Sequence, residues 1–274
     1  MRGDGREGAG EGTSAGPGRA RAHAEDVPRR LLKACLNGAR SPGEHPALPV
    51  TPLELAQEAR AARAAGATAV HMHPRDETGR ESLSAVHIGA AVRAVRRACP
   101  GMPVGVSTGL WMTAGDAGAR GEAVRGWAGL TSADLPDFAS VNLSEQGFEG
   151  LWHDLRRLGV DVEAGVWSED DAEALAATGL ECARVLVEIL GGAAGTAPSR
   201  ARAVLGRLDA LGVRGPRLLH GEEVTTWALV DEAGRLGMAT RIGLEDVLHS
   251  PAGDLVDGNA HLVRLAVARL DGNR

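Results

Sequence analysis

Lysine is almost missing from this 274-residue chain: Lys33 stands alone, and nearly all positive charge is carried by arginine. Any chemistry that needs a lysine amine therefore rests on that one residue. Cysteine is scarce too. Cys35, Cys99 and Cys182 are odd in number, far apart and free of any C-x-x-C pair, which excludes a disulfide framework and a thiolate zinc site and leaves them as small buried apolar residues. An excess of positive charge is also missing. The formal net charge is −6 at pH 7 and the pI is near 5.9, whereas a phosphate partner favours a basic surface, so no nucleic-acid partner is expected. No apolar run approaches the roughly 20 residues that cross a bilayer, and the first residues lack the apolar stretch of a secretion signal. The expectation is a cytoplasmic protein without membrane contact.

What is present fits one large core, with 43% hydrophobic residues. Residues 1–28 are rich in Gly, Ala, Arg and acids and carry almost nothing apolar, so a disordered extension is expected there. Residues 29–274 remain as the folded domain. Short apolar runs recur at Leu31–Asn37, Thr68–His73, Pro103–Thr108, Phe138–Leu143, Val160–Trp167, Arg184–Leu190, Arg217–His220 and Thr240–Glu245. Each precedes a segment of helical periodicity. The clearest helix start is Thr51-Pro52-Leu53-Glu54, an N-cap with proline at the first helical position and an early acid; amphipathic stretches follow at about 83–98, 117–129, 149–158, 169–177, 199–211, 223–236 and 257–270. Alternating strands and helices predict a parallel sheet, and eight such units in a chain of this length predict an α/β fold of the (β/α)8 TIM-barrel type, which takes roughly 250 residues. A doubly wound sheet is the alternative, since periodicity does not show closure.

In such a barrel the polar residues at strand C-termini converge on one mouth. Here those ends carry Asn37, His71-Met72-His73-Pro74-Arg75, Ser107-Thr108, Ser140-x-Asn142, His220-Gly221-Glu222 and Arg241 through Asp246. His71 and His73 alternate with Met72, so their imidazoles share a face. In a closed barrel the last strand lies beside the first, bringing Glu245 within one strand of the histidines. Two histidines, one carboxylate and an open position form the pattern of a catalytic zinc site. Buried, hydrogen-bonded histidines are the alternative. Gly105-Val106-Ser107-Thr108-Gly109 matches the G-x-S-x-G nucleophile elbow, but that motif needs a helix to begin at once, and Leu110 to Gly115 intervene. Lys33 lies about 13 Å deeper along its strand than Asn37, too far for a Schiff base in the mouth. Amidohydrolases also carry H-x-H in a barrel, but on the first strand and often with a modified lysine; a mononuclear hydrolase remains the competing reading.

The motifs Asn37-Gly38-Ala39-Arg40, His45-Pro46-x-Leu48-Pro49-Val50-Thr51-Pro52, Ala65-Gly66-Ala67, His71-x-His73-x-Arg75-Asp76, Ser107-Thr108-Gly109, Asn142, Arg241-x-Gly243-Leu244-Glu245-Asp246, Ser250 and Asn259-Ala260-x-Leu262-Val263 run through nearly all of the chain after the tail. Together they resemble the β-keto acid cleavage enzymes, of which 3-keto-5-aminohexanoate cleavage enzyme is the prototype. The resemblance implies one zinc per chain, held by His71, His73 and Glu245, and acetyl-CoA as co-substrate. A β-keto acid would be converted with acetyl-CoA to acetoacetate and a new acyl-CoA. By the same resemblance Asp246, held by Arg241, is the general base and Ser107 orients the reacting groups, while a homotetramer is the expected assembly. The substrate-binding candidates are Asn37, Arg40, Arg75, Thr108, Gly109, Ser140, Asn142, Glu188, His220 and Glu222. Where the prototype carries acids near its substrate's amine, this chain has Gly165 and Ala39-Arg40, so a neutral or anionic substrate tail is expected. Val187-Glu188-Ile189-Leu190-Gly191-Gly192 keeps the family's glycine pair after the sixth strand but adds Glu188, which with His220 and Glu222 is either a substrate contact or a structural network. A metal-dependent lyase or hydrolase without CoA, and a non-catalytic metabolite-binding barrel, are the other readings.

Overall fold

Runs of small and β-branched residues make short strands that only a neighbour on each side can satisfy. A computed structural model describes residues 31–272, and the expected N-terminal extension lies outside them. The strands are β1 (Leu32–Cys35), β2 (Ala69–Met72), β3 (Val104–Ser107), β4 (Phe138–Asn142), β5 (Asp161–Val166), β6 (Arg184–Ile189), β7 (Arg217–Gly221) and β8 (Ala239–Ile242). Each pairs in parallel with its sequence neighbours, and β8 returns to β1 through Leu32↔Thr240, Lys33↔Arg241 and Ala34↔Ile242. Closure of that ring makes the fold a (β/α)8 barrel and removes the doubly wound alternative.

The helices are α1 (Pro52–Ala65), α2 (Ala85–Ala98), α3 (Ala117–Arg125), α4 (Phe148–Arg157), α5 (Glu169–Thr178), α6 (Ala197–Ala210), α7 (Thr226–Leu236) and α8 (Asn259–Gly272). Thr51 caps α1 as expected: its hydroxyl accepts from the Glu54 amide, the Glu54 carboxylate returns to the Thr51 amide, and Pro52 fills the first turn. A second capping box, Ser168 with Asp171, starts α5. Among the described residues no helix is long and apolar enough to cross a membrane.

Apolar strand residues such as Val70, Val106, Val141, Ala164 and Val187 pack outward against the helices, each full burial of a valine-sized side chain stabilising by about 1.5–3 kcal/mol. The alternate positions point into the barrel. Lys33 on β1 and Glu163 on β5 belong to opposite sides of the ring, yet their Nζ and Oε2 atoms are 2.5 Å apart, which only a path through the interior allows. Arg184 completes this pair from β6. The cluster sits below the mouth, as the position of Lys33 in the sequence requires.

Some boundaries differ from expectation in ways that bear on the site. The eighth strand ends at Ile242, because the amides of Asp246 and Val247 both turn back to the Gly243 carbonyl (2.9 and 3.1 Å), so Glu245 stands on a turn above the strand. A 3-10 turn, Leu110–Thr113, follows Gly109 directly, although α3 begins only at Ala117. Helical structure therefore starts sooner after Ser107 than expected, but for a single turn. The stretches read as helices at 117–129 and 223–236 each include a 3-10 turn, Gly126–Gly129 and Glu223–Thr225.

Candidate metal centre and its cavity

His71 lies in β2 and His73 directly follows the strand, their rings edge to face with centroids 5.2 Å apart. Glu245 reaches them because its amide donates to the Cys35 carbonyl (3.2 Å), laying the turn after β8 across the end of β1. Gly38 makes this approach possible. Its φ is +57°, and a Cβ there would lie 2.5 Å from Cγ of Glu245. Glu245 Oε2 then stands 3.5 Å from Nε2 of His73 and 3.9 Å from Nε2 of His71. This oxygen is buried and has no hydrogen-bond partner. Tetrahedral ligands at about 2.0–2.2 Å from zinc are separated by about 3.3–3.6 Å; the 3.5 Å spacing falls in that range and the 3.9 Å spacing lies a few tenths of an ångström beyond it. One ligand atom from each of the three residues lies within 4.8 Å of the others, so the donor set suits a divalent metal. Burial pushes the His71 imidazole well below its usual pKa, with His73 and Lys33 adding to the effect, so it offers a neutral lone pair.

Beside the trio lies a crowded charge cluster. Arg241 binds Asp246 through Nε (3.0 Å) and a terminal nitrogen (2.7 Å), and reaches Glu245 at 3.0 Å, Glu188 at 3.6 Å and Glu222 at 3.9 Å. One guanidinium serving four carboxylates leaves some of them short of charge. Burial raises the Asp246 carboxyl to about 7 despite the opposing pull of Arg241. Burial likewise raises Glu188 to about 8, with Arg241 opposing and Glu222 reinforcing. Asp246 Oδ2 has no partner; Glu188 Oε2 accepts from the Trp167 indole (2.8 Å). His220 is buried with neither ring nitrogen bonded, 3.8 Å from Glu188, and burial keeps it neutral, with Arg241 and Lys33 contributing.

A cavity of about 470 Å³ opens over this centre. Of the expected residues, Arg40, His71, His73, Ser107, Ser140, Asn142, Glu188, Glu222, Arg241 and Glu245 line it. Asp246 and His220 are buried directly against two of these lining residues, Arg241 and Glu188, and the others stand behind the wall. Asn37 clamps His73, accepting from its amide (2.9 Å) and donating to its carbonyl (2.9 Å). Arg75 donates to the carbonyls of Gly38 (3.0 Å), Arg40 (2.5 Å) and Gly79 (2.9 Å), tying the first two loops together. Thr108 donates to the Ser140 carbonyl (2.6 Å), and Gly109 packs under the Trp111 ring. Arg40 faces the cavity, but its guanidinium already binds Glu223 and the Leu244 carbonyl and approaches Glu44 at 3.4 Å. Asn142 Oδ1 fills the space beside Gly165, where a Cβ would lie 2.4 Å from it.

Sequence reasoning missed Glu44, Trp111, Trp167, Leu186, Leu190 and Glu223 in the lining. Trp167, directly after β5, carried a usable signal: a large aromatic at a strand's C-terminal end. Glu145 was missed too. It pairs with the fully buried Arg120 and accepts from Asn142 (2.9 Å) and the Leu110 amide (3.1 Å), fixing the loops after β3 and β4.

The fold and this centre can be compared with known proteins. A 3-keto-5-aminohexanoate cleavage enzyme from Fusobacterium nucleatum subsp. nucleatum is 35% identical over 80 residues, which covers 29% of this chain and 29% of that relative. Among solved structures, a binary complex of ObcA with oxaloacetate superposes with TM-score 0.67 at 20% identity, covering 83% of this chain and 64% of that one. A ternary complex of ObcA with a C4-CoA adduct and oxalate gives 0.68 at 19% identity, with the same 83% and 64%. The chain thus matches under two thirds of the length of each of these proteins, and the ObcA likeness is one of fold. The family model for beta-keto acid cleavage enzyme, by contrast, matches residues 30–272, spanning the barrel and every residue of the centre, and the chain belongs to that family.

Proposed function

We propose that the protein is a zinc-dependent acyltransferase that converts a β-keto acid and acetyl-CoA into acetoacetate and a new acyl-CoA. The observation that carries this reading is Glu245 Oε2, buried, unpartnered and aimed between two imidazole nitrogens. A bare carboxylate oxygen in that position is costly unless a cation or proton joins it. His71, His73 and Glu245 would hold zinc, which when bound supplies a positive charge that polarises a substrate carbonyl.

The rest of the chemistry belongs to the chain. Asp246 takes a proton from the carbon between the keto and carboxylate groups. Its Oδ2 is free while Arg241 grips Oδ1 from two nitrogens. A carboxylate held near 7 is a stronger base than an ordinary aspartate and is still available at neutral pH. Ser107, at the end of β3, and Ser140, within β4, line the cavity and orient the substrate there. The carbon so activated bonds to the acetyl carbonyl and the thioester C–S bond breaks. The original keto–methylene bond then breaks as the CoA sulfur takes the acyl group, and Asp246 returns its proton to the acetoacetate carbon so released, so atoms balance without oxidant or reductant. ObcA, whose structures are complexes with oxaloacetate and with a C4-CoA adduct and oxalate on a similar fold, supports keto-acid and CoA ligands for this reading. Because Arg40 is already bound by Glu223, an anionic tail must compete for it, and a neutral tail fits with less rearrangement.

The test is metal content by mass spectrometry on the purified protein and on Glu245→Ala, followed by a panel of β-keto acids with acetyl-CoA, read by product mass. About one zinc per chain, lost in the variant, together with a new acyl-CoA, is the expected result. Zinc with cleavage but no CoA thioester would replace this reading with a metal-dependent lyase or hydrolase. No zinc after reconstitution would overturn the metal assignment.

A further inference from the structure

We propose that Glu81 is the positioning residue of this centre: it orients the His73 ring for metal and locks it to Trp111 at the cavity rim. The inference rests on the metal reading above. Glu81 lies beyond β2 on a tight hairpin that folds back over the strand's end. Arg75 and Glu81 form an antiparallel bridge, the Ser82 amide donates to the Pro74 carbonyl (2.9 Å), and Asp76 Oδ1 accepts from the amides of Thr78 (2.9 Å) and Arg80 (3.0 Å). This return places one Glu81 oxygen 2.5 Å from Nδ1 of His73, while the other accepts from the Trp111 indole at 3.0 Å. The indole in turn stacks on the His73 ring, with centroids 6.2 Å apart and planes 24° from parallel. Gly109 is required for that stack, since a Cβ there would lie 2.1 Å from the indole.

The chemistry follows from which nitrogen is occupied. A carboxylate on Nδ1 is an acceptor, so Nδ1 carries the hydrogen and Nε2 keeps its lone pair. That nitrogen is the one facing Glu245 Oε2 at 3.5 Å. His73 is thus fixed in tautomer and ring angle before metal arrives, from one edge by Glu81 and from one face by Trp111. Its neighbour His71 has no such partner, for its Nδ1 is buried and unbonded. The centre therefore has one pre-oriented imidazole and one that metal itself must orient.

Zinc affinity, measured by chelator competition on wild type, Glu81→Ala, Glu81→Gln and Trp111→Phe, tests this. Glu81→Ala is expected to weaken zinc binding about 10–100-fold. Glu81→Gln keeps an acceptor oxygen for His73 and should recover part of the loss; Trp111→Phe keeps the stack and should lose less than Glu81→Ala. Ring-nitrogen NMR on the metal-free protein gives a readout that stability alone would not move: His73 should be the Nδ1–H tautomer in wild type and lose that preference in Glu81→Ala. Wild type that binds zinc while a folded Glu81→Ala binds it equally well would overturn this proposal alone. Wild type that binds no zinc would overturn it together with the metal reading.

Discussion

Two cavities of similar size, about 450 Å³ and about 470 Å³, open at opposite ends of the barrel, and they differ in how the polar groups around them are satisfied. At the N-terminal end Arg96 binds Asp137 (2.7 Å) and Arg184 binds Glu163, which also holds Lys33. None of these atoms lacks a partner among the described residues. At the C-terminal end Nδ1 of His71, both ring nitrogens of His220, Glu245 Oε2 and Asp246 Oδ2 are buried and unbonded. Size therefore does not separate a site from a structural recess, whereas unfinished hydrogen bonding does. A protein tolerates such costs where a ligand completes the bonds.

The largest effect expected is at the unfinished end. Asp246→Asn removes the proposed base while leaving the amide in place of the carboxylate, and should lower kcat about 10²–10⁴-fold with zinc content unchanged. Steady-state rates beside metal analysis check it; a variant that keeps its turnover breaks the base assignment. Next comes the finished end. Glu163→Ala leaves Lys33 and Arg184 facing each other without their shared carboxylate, and should cost about 3–5 kcal/mol in urea unfolding without altering zinc content. Glu245→Ala in the metal-free protein should cost less, because one of its oxygens has no partner and Arg241, on losing its 3.0 Å contact with the other, keeps Asp246 at 2.7 Å. Equal losses for the two variants would erase the contrast between the ends.

The barrel was legible because its two periodicities alternate without interruption and some helix starts are marked by local chemistry such as Thr51-Pro52-x-Glu54. The His71–His73 pair was legible because a strand's alternation fixes which side chains share a face, and Glu245 because ring closure dictates which strands are neighbours. Contacts that depend on how a loop returns were not legible. Glu81 reaches His73 only through the hairpin after Arg75, and no spacing rule places it there. Arg40 read as a free cation because the sequence does not show that Glu223, far along the chain, folds over it. Asn37, Arg75 and Thr108 are polar at strand ends as expected, but their hydrogen bonds are spent on backbone. Polarity at a strand end predicts the mouth of the barrel, not which side of its wall a group faces.

The smallest effect concerns Glu188, and its sign follows from linkage. Around it stand Arg241, His220, Trp167, Glu222, Asp246 and Glu245, and the balance of burial against Arg241 raises its carboxyl to about 8 in the folded protein. An unfolded glutamate titrates near 4.3, so between those values the folded state holds a proton that the unfolded state has lost. Where the unfolded state binds fewer protons, stability falls as pH rises. Wild-type metal-free protein should therefore lose stability at this position from about pH 4.3 to about pH 8 and then level off. Glutamine keeps the shape without titrating. Glu188→Gln should match wild type near pH 4 and exceed it by on the order of 1–3 kcal/mol at pH 8, measured by urea unfolding across the range. A difference that is flat with pH would mean that Glu188 is ionised in the fold, its charge met by Arg241, and the mouth would then resemble the barrel's other end more closely than its unbonded atoms suggest.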